Sequence, residues 1–220
     1  MKKIGLPVLI ILMSVLYIFF IPSEPSGVKM LFKLIPMWLI ITYAYLQIPT
    51  TDRKRHQIFI LIGLFFCMLG DGLLSMFIIG LSAFLIGHLF YTASFLSRWR
   101  FSKARFAIII PLALYGLYMG RELIQALVRD GKENLIIPVM IYLVVISFMA
   151  LTAMMTGHLW AIIGSLLFVV SDSILSWNMF ISDVTYSGPL IMTTYYAAQF
   201  LLAYSLRKQL QIAPPTSISG

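Results

Sequence analysis

Two acidic residues stand inside stretches that are otherwise apolar enough for lipid. Gly164 to Phe180 reads GSLLFVVSDSILSWNMF, with Asp172 near its middle and Ser171, Ser173 and Ser176 close by. An ionisable residue within a membrane helix costs about 2.5–3.5 kcal/mol on insertion scales, which marks it as a functional candidate. Gly63 to Phe77, GLFFCMLGDGLLSMF, repeats the pattern. At a constant offset of 101 positions Gly63 matches Gly164, Asp71 matches Asp172, Leu74 matches Leu175 and Ser75 matches Ser176. Two carboxylates in one low-dielectric cavity split their titrations: one holds a proton while the other stays ionised. That is the equipment for general acid–base hydrolysis with a positioned water. Serine hydroxyls near Asp172 could support an anion, whereas Asp71 lies between Gly70 and Gly72, so Asp71 is the expected acid and Asp172 the expected anion.

Other chemistries find less support. His56 and His158 fall at the cytoplasmic ends of their segments, far from His88, so no zinc-binding histidine triad is expected. There is no G-x-S-x-G elbow, Walker loop or Cys-x-x-Cys, and Ser171 and Ser173 lack an adjacent base. The single Cys67 excludes an internal disulfide and reads as a small core residue. No metal or other cofactor is called for.

The elements that must position these residues follow from composition. Of 220 residues, 60% are hydrophobic and 11% charged, with a mean hydropathy of +0.95. Soluble domains carry about 25% charged residues, so a water-soluble protein is excluded. Apolar runs of about 17–25 residues, the length that crosses a bilayer core, can be placed eight times. They lie near 4–21, 28–48, 57–76, 79–97, 105–126, 134–153, 159–181 and 188–206, with almost no loop between the third and fourth. Long helical runs with Gly, Pro and Met predict an all-α polytopic membrane helix bundle rather than a barrel. Met1 to Phe20 has the basic start and apolar run of a signal peptide. No small-x-small site follows, only Ile21-Pro22-Ser23, so it is expected to be the first transmembrane helix.

The net charge of +8 is topological rather than a sign of nucleic acid. With both termini on one side, that side holds Lys2, Lys3, Arg53, Lys54, Arg55, Arg98, Arg100, Lys103, Arg105, Arg207 and Lys208, which is 11 of 16 basic residues. Lys29, Lys33, Arg121, Arg129 and Lys132 fall on or near the other. The positive-inside rule then puts both termini in the cytoplasm of a multi-pass protein of the cell membrane. The segment 209–220, with Pro214 and Pro215, is expected to be a disordered cytoplasmic tail.

The echo extends beyond the acids. Pro138 matches Pro36 at an offset of 102, and at 105 Tyr196, Ala198, Phe200 and Leu201 match Tyr91, Ala93, Phe95 and Leu96. Residues 1–208 are therefore expected to form a single transmembrane domain of two repeats, roughly 1–100 and 101–208. Four spans each give the halves the same orientation, as parallel repeats about an axis along the membrane normal. Asp71 and Asp172 would then share a depth and could face one another. A polar cluster follows in the outer half of the bundle: Lys33, Asp71, His88, Asp172, Asn178, Tyr195, Tyr196 and Gln199. Lys33, about one turn inside the boundary, could snorkel to headgroups, anchor a lipid phosphate or pair with a carboxylate. His88 could equally hydrogen-bond a neighbouring helix.

Leu69-Gly70-Asp71-Gly72 followed by Gly87-His88-Leu89-Phe90-Tyr91 resembles the YhhN/TMEM86 family of membrane proteins. So do Leu167 to Asp172 with Asn178, and Met192-Thr193-Thr194-Tyr195-Tyr196-Ala197-Ala198-Gln199. The family includes lysoplasmalogenase, which hydrolyses the vinyl ether bond of lysoplasmalogens to a fatty aldehyde and a glycerophospho-alcohol. The resemblance implies that chemistry here, with Asp71 and Asp172 catalytic and Lys33, His88, Asn178, Tyr195, Tyr196 and Gln199 binding or supporting. The Lys-Pro pair of the second helix is stretched in this chain to Lys33-Leu34-Ile35-Pro36. The expected partners are a lysophospholipid within the bilayer and water, with no nucleic acid and no protein partner. A lipid or small-solute transporter would also suit a pseudo-symmetric bundle with midplane acids; a zinc-dependent amide hydrolase would require bound metal.

Overall fold

The computed structural model describes residues 2–22, 24–49, 51 and 53–207; Lys208 and the segment 209–220 lie outside these, as do the side chains of Lys2, Lys3 and Ile4. Among the described residues the chain is all-helical. The helices are α1 (Lys2–Phe19), α2 (Ser26–Gln47), α3 (Arg55–Leu73), α4 (Phe77–Leu96), α5 (Lys103–Phe106), α6 (Ile109–Arg129), α7 (Ile136–Thr156), α8 (Leu159–Ser176) and α9 (Ser187–Tyr204). A single 3₁₀ turn, Glu133–Leu135, precedes α7, and α8 runs into a π turn, Trp177–Ile181.

Among the described residues, six segments are long and apolar enough to cross a membrane: Ser26–Gln47, Arg55–Leu73, Phe77–Leu96, Lys103–Arg129, Glu133–Thr156 and Leu159–Ile181. The first and last of the eight expected runs fall outside this set. The apolar part of α1, Gly5–Phe19, is shorter. In α9, the interior-facing Tyr195, Tyr196 and Gln199 replace apolar side chains. The fifth run is broken at its start, because Pro111 has no N–H to bond back to the carbonyl of Ala107. There α5 gives way to α6 through a turn in which Ile110 N–H bonds Ala107.

Packing follows the repeat units. Within each half the consecutive long helices pack in order, α1 on α2, α2 on α3, α3 on α4, and then α6 on α7, α7 on α8, α8 on α9. The halves join through α4 against α7 and α2 against α9. Between membrane helices there is little hydrophobic drive, so association relies on close approach at small residues. The paired glycines of the echo serve this purpose. A methyl group on Gly164 would lie 3.1 Å from the Ala198 carbonyl oxygen of α9, and one on Gly63 would run into the Tyr91 ring of α4.

The main core joins α1–α4 to α7–α9, with Met37, Ile40, Leu64, Cys67, Met149 and Phe168 among its fully buried members. A smaller cluster seats α6 on α7 and the π turn through Met119, Leu123, Leu127, Leu143 and Phe180. One end of the bundle gathers the basic loops. There Ser94 Oγ donates to the His56 carbonyl and Arg105 to the Met155 carbonyl, with Arg98 close to both His56 and His158.

Candidate active site

Asp71 stands near the end of α3 and Asp172 near the end of α8, and both line one cavity of about 190 Å³. Lys33, Tyr17, Tyr195, Phe84, Ser171 and Met192 also line it. The two acids are supported differently. Asp71 is 3% exposed, and Lys33 Nζ lies 3.1 Å from its Oδ1 and donates to its backbone carbonyl at 3.3 Å. Its second oxygen, Oδ2, is buried, and the buried hydroxyl of Tyr195 neighbours the same carboxyl group.

Pro36 leaves the Phe32 carbonyl, next to Lys33, without its helical donor. The ring of a helical proline also pushes against the preceding turn. The Lys33 carbonyl accepts a hydrogen bond from the Tyr196 hydroxyl at 2.7 Å. Tyr196 thus reaches the site through the Lys33 backbone rather than by contacting a carboxylate.

Among the described residues, no lysine or arginine is paired with Asp172. Tyr142 of α7 donates a short hydrogen bond to Asp172 Oδ2, and His88 Nε2 lies 2.9 Å from the Tyr142 oxygen and 3.8 Å from Asp172 Oδ2. A phenol has one hydrogen to give. If it points to Asp172, His88 must donate from Nε2, which leaves Nδ1 as the unprotonated nitrogen. Nδ1 is buried without a partner, and a bare lone pair is easier to bury there than an unsatisfied N–H. The ring is fully buried, with Phe168 edge-on at 4.5 Å between centroids. His88, Tyr142 and Asp172 therefore form a line of hydrogen bonds from the core to the cavity.

The remaining expected residues are placed apart from the cavity. Gln199 is fully buried and accepts from the Tyr91 hydroxyl at 2.6 Å, deeper in the α4–α9 contact. Asn178, in the π turn, accepts from Val184 N–H at 2.9 Å and so holds the loop before α9. Ser171 donates to the Ile191 carbonyl, Ser173 to Val169 and Ser176 to the Ser173 carbonyl, so each of these serine hydrogens is directed to backbone rather than to Asp172. Tyr142 and Tyr17 are the site residues that sequence reasoning missed. The signal for Tyr142 was available: it is a lone phenol in the run Ile136 to Ser147.

Two carboxyl groups, a lysine on one and a hydrogen-bonded tyrosine and histidine on the other, around a small space, can deliver a proton and stabilise a cation. Similarity to known proteins bears on what occupies that space. A bovine (Bos taurus) protein named lysoplasmalogenase TMEM86A is 31% identical over 210 residues, covering 87% of this chain and 83% of that protein. A mouse (Mus musculus) lysoplasmalogenase TMEM86B is 27% identical over 197 residues, covering 87% and 81%. A Mycobacterium bovis lysoplasmalogenase is 31% identical over 144 residues, covering 60% and 54%. No solved structure matches the chain. The YhhN family model matches residues 28–206, which include both carboxylates and every helix from α3 to α9, and the chain belongs to the YhhN family.

Proposed function

We propose that this multi-pass membrane protein hydrolyses the vinyl ether bond of lysoplasmalogens or a related lysolipid, releasing a fatty aldehyde and a glycerophospho-alcohol. The observation that carries the reading is the single cavity lined by Asp71, Asp172 and Lys33 in a chain whose relatives are named lysoplasmalogenases.

Asp172 is the acid in this mechanism and Asp71 the anion, the reverse of the order suggested by the serines, because Lys33 supplies the counter-charge at Asp71. The substrate's C=C electron pair takes the proton from Asp172, giving an oxocarbenium ion that the Asp71 carboxylate faces. Water adds to the carbon bearing oxygen and returns a proton to Asp172. The hemiacetal then collapses: the ether oxygen takes the proton from Asp172, the C–O bond breaks, the hemiacetal hydroxyl returns its proton to Asp172 as it becomes the carbonyl, and the aldehyde leaves with the former alkenyl chain. Tyr142 and His88 hold the Asp172 carboxyl in place through the cycle. No step needs a cofactor.

The same reading takes the chain as eight spans in two parallel repeats, with α1 and α9 completing the six apolar segments. The exchange of packing partners between halves supports it, since α4 on α7 corresponds to α9 on α2. In the cell membrane, with both termini cytoplasmic, reporters fused within residues 51–56 should read inside and one near Asp183 outside. The decisive experiment is turnover. Purified protein in detergent should release aldehyde from lysoplasmalogen; binding without release would favour a transporter instead.

A further inference from the structure

We infer that Tyr17 is a specificity-determining residue: its ring narrows the way out of the two-carboxylate cavity, so that the substrate's middle glycerol carbon can carry a hydroxyl there but not an acyl chain. The inference rests on the hydrolase reading above. Outside the inner cavity lies a second chamber of about 400 Å³, at the start of α2 and the end of α3. Tyr17, Lys33, Asp71 and Leu74 line both chambers and so form the neck between them. Tyr17 comes from α1 and precedes the residues 28–206 that the family model matches, so that likeness assigns it no role.

Each wall of the neck is backed. Lys33 and Asp71 hold one another at 3.1 Å. Behind Leu74 stands α4: a methyl group on Gly80 would lie 2.7 Å from the Leu74 Cα, so that backbone has nowhere to recede. Tyr17 is 8% exposed, and its ring meets that of Tyr196 edge-on, with 6.1 Å between centroids. Tyr196 is in turn fixed by its hydrogen bond to the Lys33 carbonyl. α1 packs on α2 and α9, with Ile10 and Tyr17 buried and Ile11 and Leu12 turned outward. Close-packed side chains yield little, so the neck is a fixed aperture. The substrate places a branch point there. With the vinyl ether between the carboxylates, the middle glycerol carbon lies two bonds from the ether oxygen, and the rest of the head group continues to the outer chamber. In a lysolipid the branch at that carbon is a hydroxyl, and a single slender chain threads the neck. An acyl ester at the same carbon brings a second chain to the narrowest point, where the Tyr17 ring must be displaced to admit it.

Turnover of two substrates in micelles of one detergent tests this: a lysoplasmalogen, and the same lipid acylated at its middle glycerol carbon. Wild type should prefer the lysolipid. Tyr17→Ala should raise the kcat/KM of the acylated lipid relative to the lysolipid by about tenfold, the scale of one pocket contact. Leu74→Ala widens the neck from another wall and should raise the ratio too, whereas Tyr17→Phe keeps the ring and should keep the wild-type ratio. Ile10→Ala loosens α1 about two turns from the neck and should also leave the ratio unchanged. Retained turnover of the lysolipid shows that a variant folds; should Tyr17→Ala not fold, Tyr17→Leu and Leu74→Ala decide by the same ratio. An unchanged ratio in the widened variants, or an equal rise in Ile10→Ala or Tyr17→Phe, overturns the inference while leaving the hydrolase reading intact. So does a wild type that cleaves both lipids equally well. If wild type cleaves neither, the hydrolase reading itself fails and the inference falls with it.

Discussion

Asp71 and Asp172 occupy matching places in α3 and α8, yet each is held by a different kind of neighbour. Each sits between the second helix of its own half and the last helix of the other. For Asp71 these supply Lys33 from α2 and Tyr195 from α9; for Asp172 they supply Tyr142 from α7 and His88 from α4. The side chains are 4% and 16% exposed. A repeat provides two copies of a position, and divergence of the flanking helices turns them into two roles. The source of the divergence is visible in the prolines. α2 begins ten residues before Pro36, while α7 begins two before Pro138. Only the first half has the extra turns that carry Lys29 and Lys33.

The largest effect should come from the acids themselves. Asp172→Asn should lower vinyl ether turnover by about 10²–10⁴-fold, the usual worth of general acid catalysis. Adding Asp71→Asn should cost much less than the product of the two single losses, because groups acting as a unit fail together. Near-normal turnover in both single variants would end the comparison.

Stability should separate the two next. Asp71→Asn strands the Lys33 charge, and breaking a buried pair costs about 3–5 kcal/mol. The lower part of that range applies, since the Lys33 side chain is 14% exposed. Asp172→Asn leaves Tyr142 a carbonyl to bond and should unfold close to wild type. Thermal unfolding in detergent would measure the gap, and Lys33→Met combined with Asp71→Asn should close most of it without restoring turnover. Equal melting of the two Asn variants would mean the ion pair contributes nothing distinctive.

Tyr142→Phe addresses the relay alone. It removes the hydrogen bond to Asp172 and strands His88 Nε2, so kcat should fall about tenfold with KM little changed. In an Asp172→Asn background the same change should add almost nothing. An additive loss would place Tyr142 outside the Asp172 line.

The smallest effect separates acid sensitivity of the site from that of the scaffold. Between α7 and α8, burial and then the charge of Arg98 hold the His158 imidazole below its ordinary value of 6.5. The unfolded chain takes up a proton near that pH which the folded protein refuses, so stability falls as pH drops through this value. His158→Gln should flatten that part of the curve and leave activity unchanged. If the slope persists, it belongs to other groups.

Much of this arrangement was legible because lipid penalises polar groups. Asp71, Asp172 and Lys33 stand out against their apolar runs, and the cavity gathers all three with Tyr195. What stayed hidden depended on partners. Tyr142 is amphipathic and reads equally well as a core or interfacial ring until Asp172 is placed beside it. The serines around Asp172 looked like anion support, but a hydroxyl in a helix can bond the carbonyl three or four residues back, and Ser173 and Ser176 do so. Asn178 looked like site chemistry, but its amide bonds Val184 N–H, a contact set by the π turn, which no periodicity announces. α9 was legible as a helix, but its interior-facing polar residues dilute the apolar signal used to recognise a crossing.

The size of the inner chamber has a consequence for selectivity. About 190 Å³ is small beside a whole lysolipid. On the proposed reading that admits the vinyl ether and adjoining glycerol carbons rather than the length of a hydrocarbon tail. The tail must trail between helices into the bilayer, where one methylene more or less meets only lipid. Such an enzyme has no ruler. Once substrates are compared at equal concentration in the membrane, rates should hardly distinguish a sixteen-carbon tail from an eighteen-carbon one, whereas changes within the first few atoms of the bond should be felt sharply.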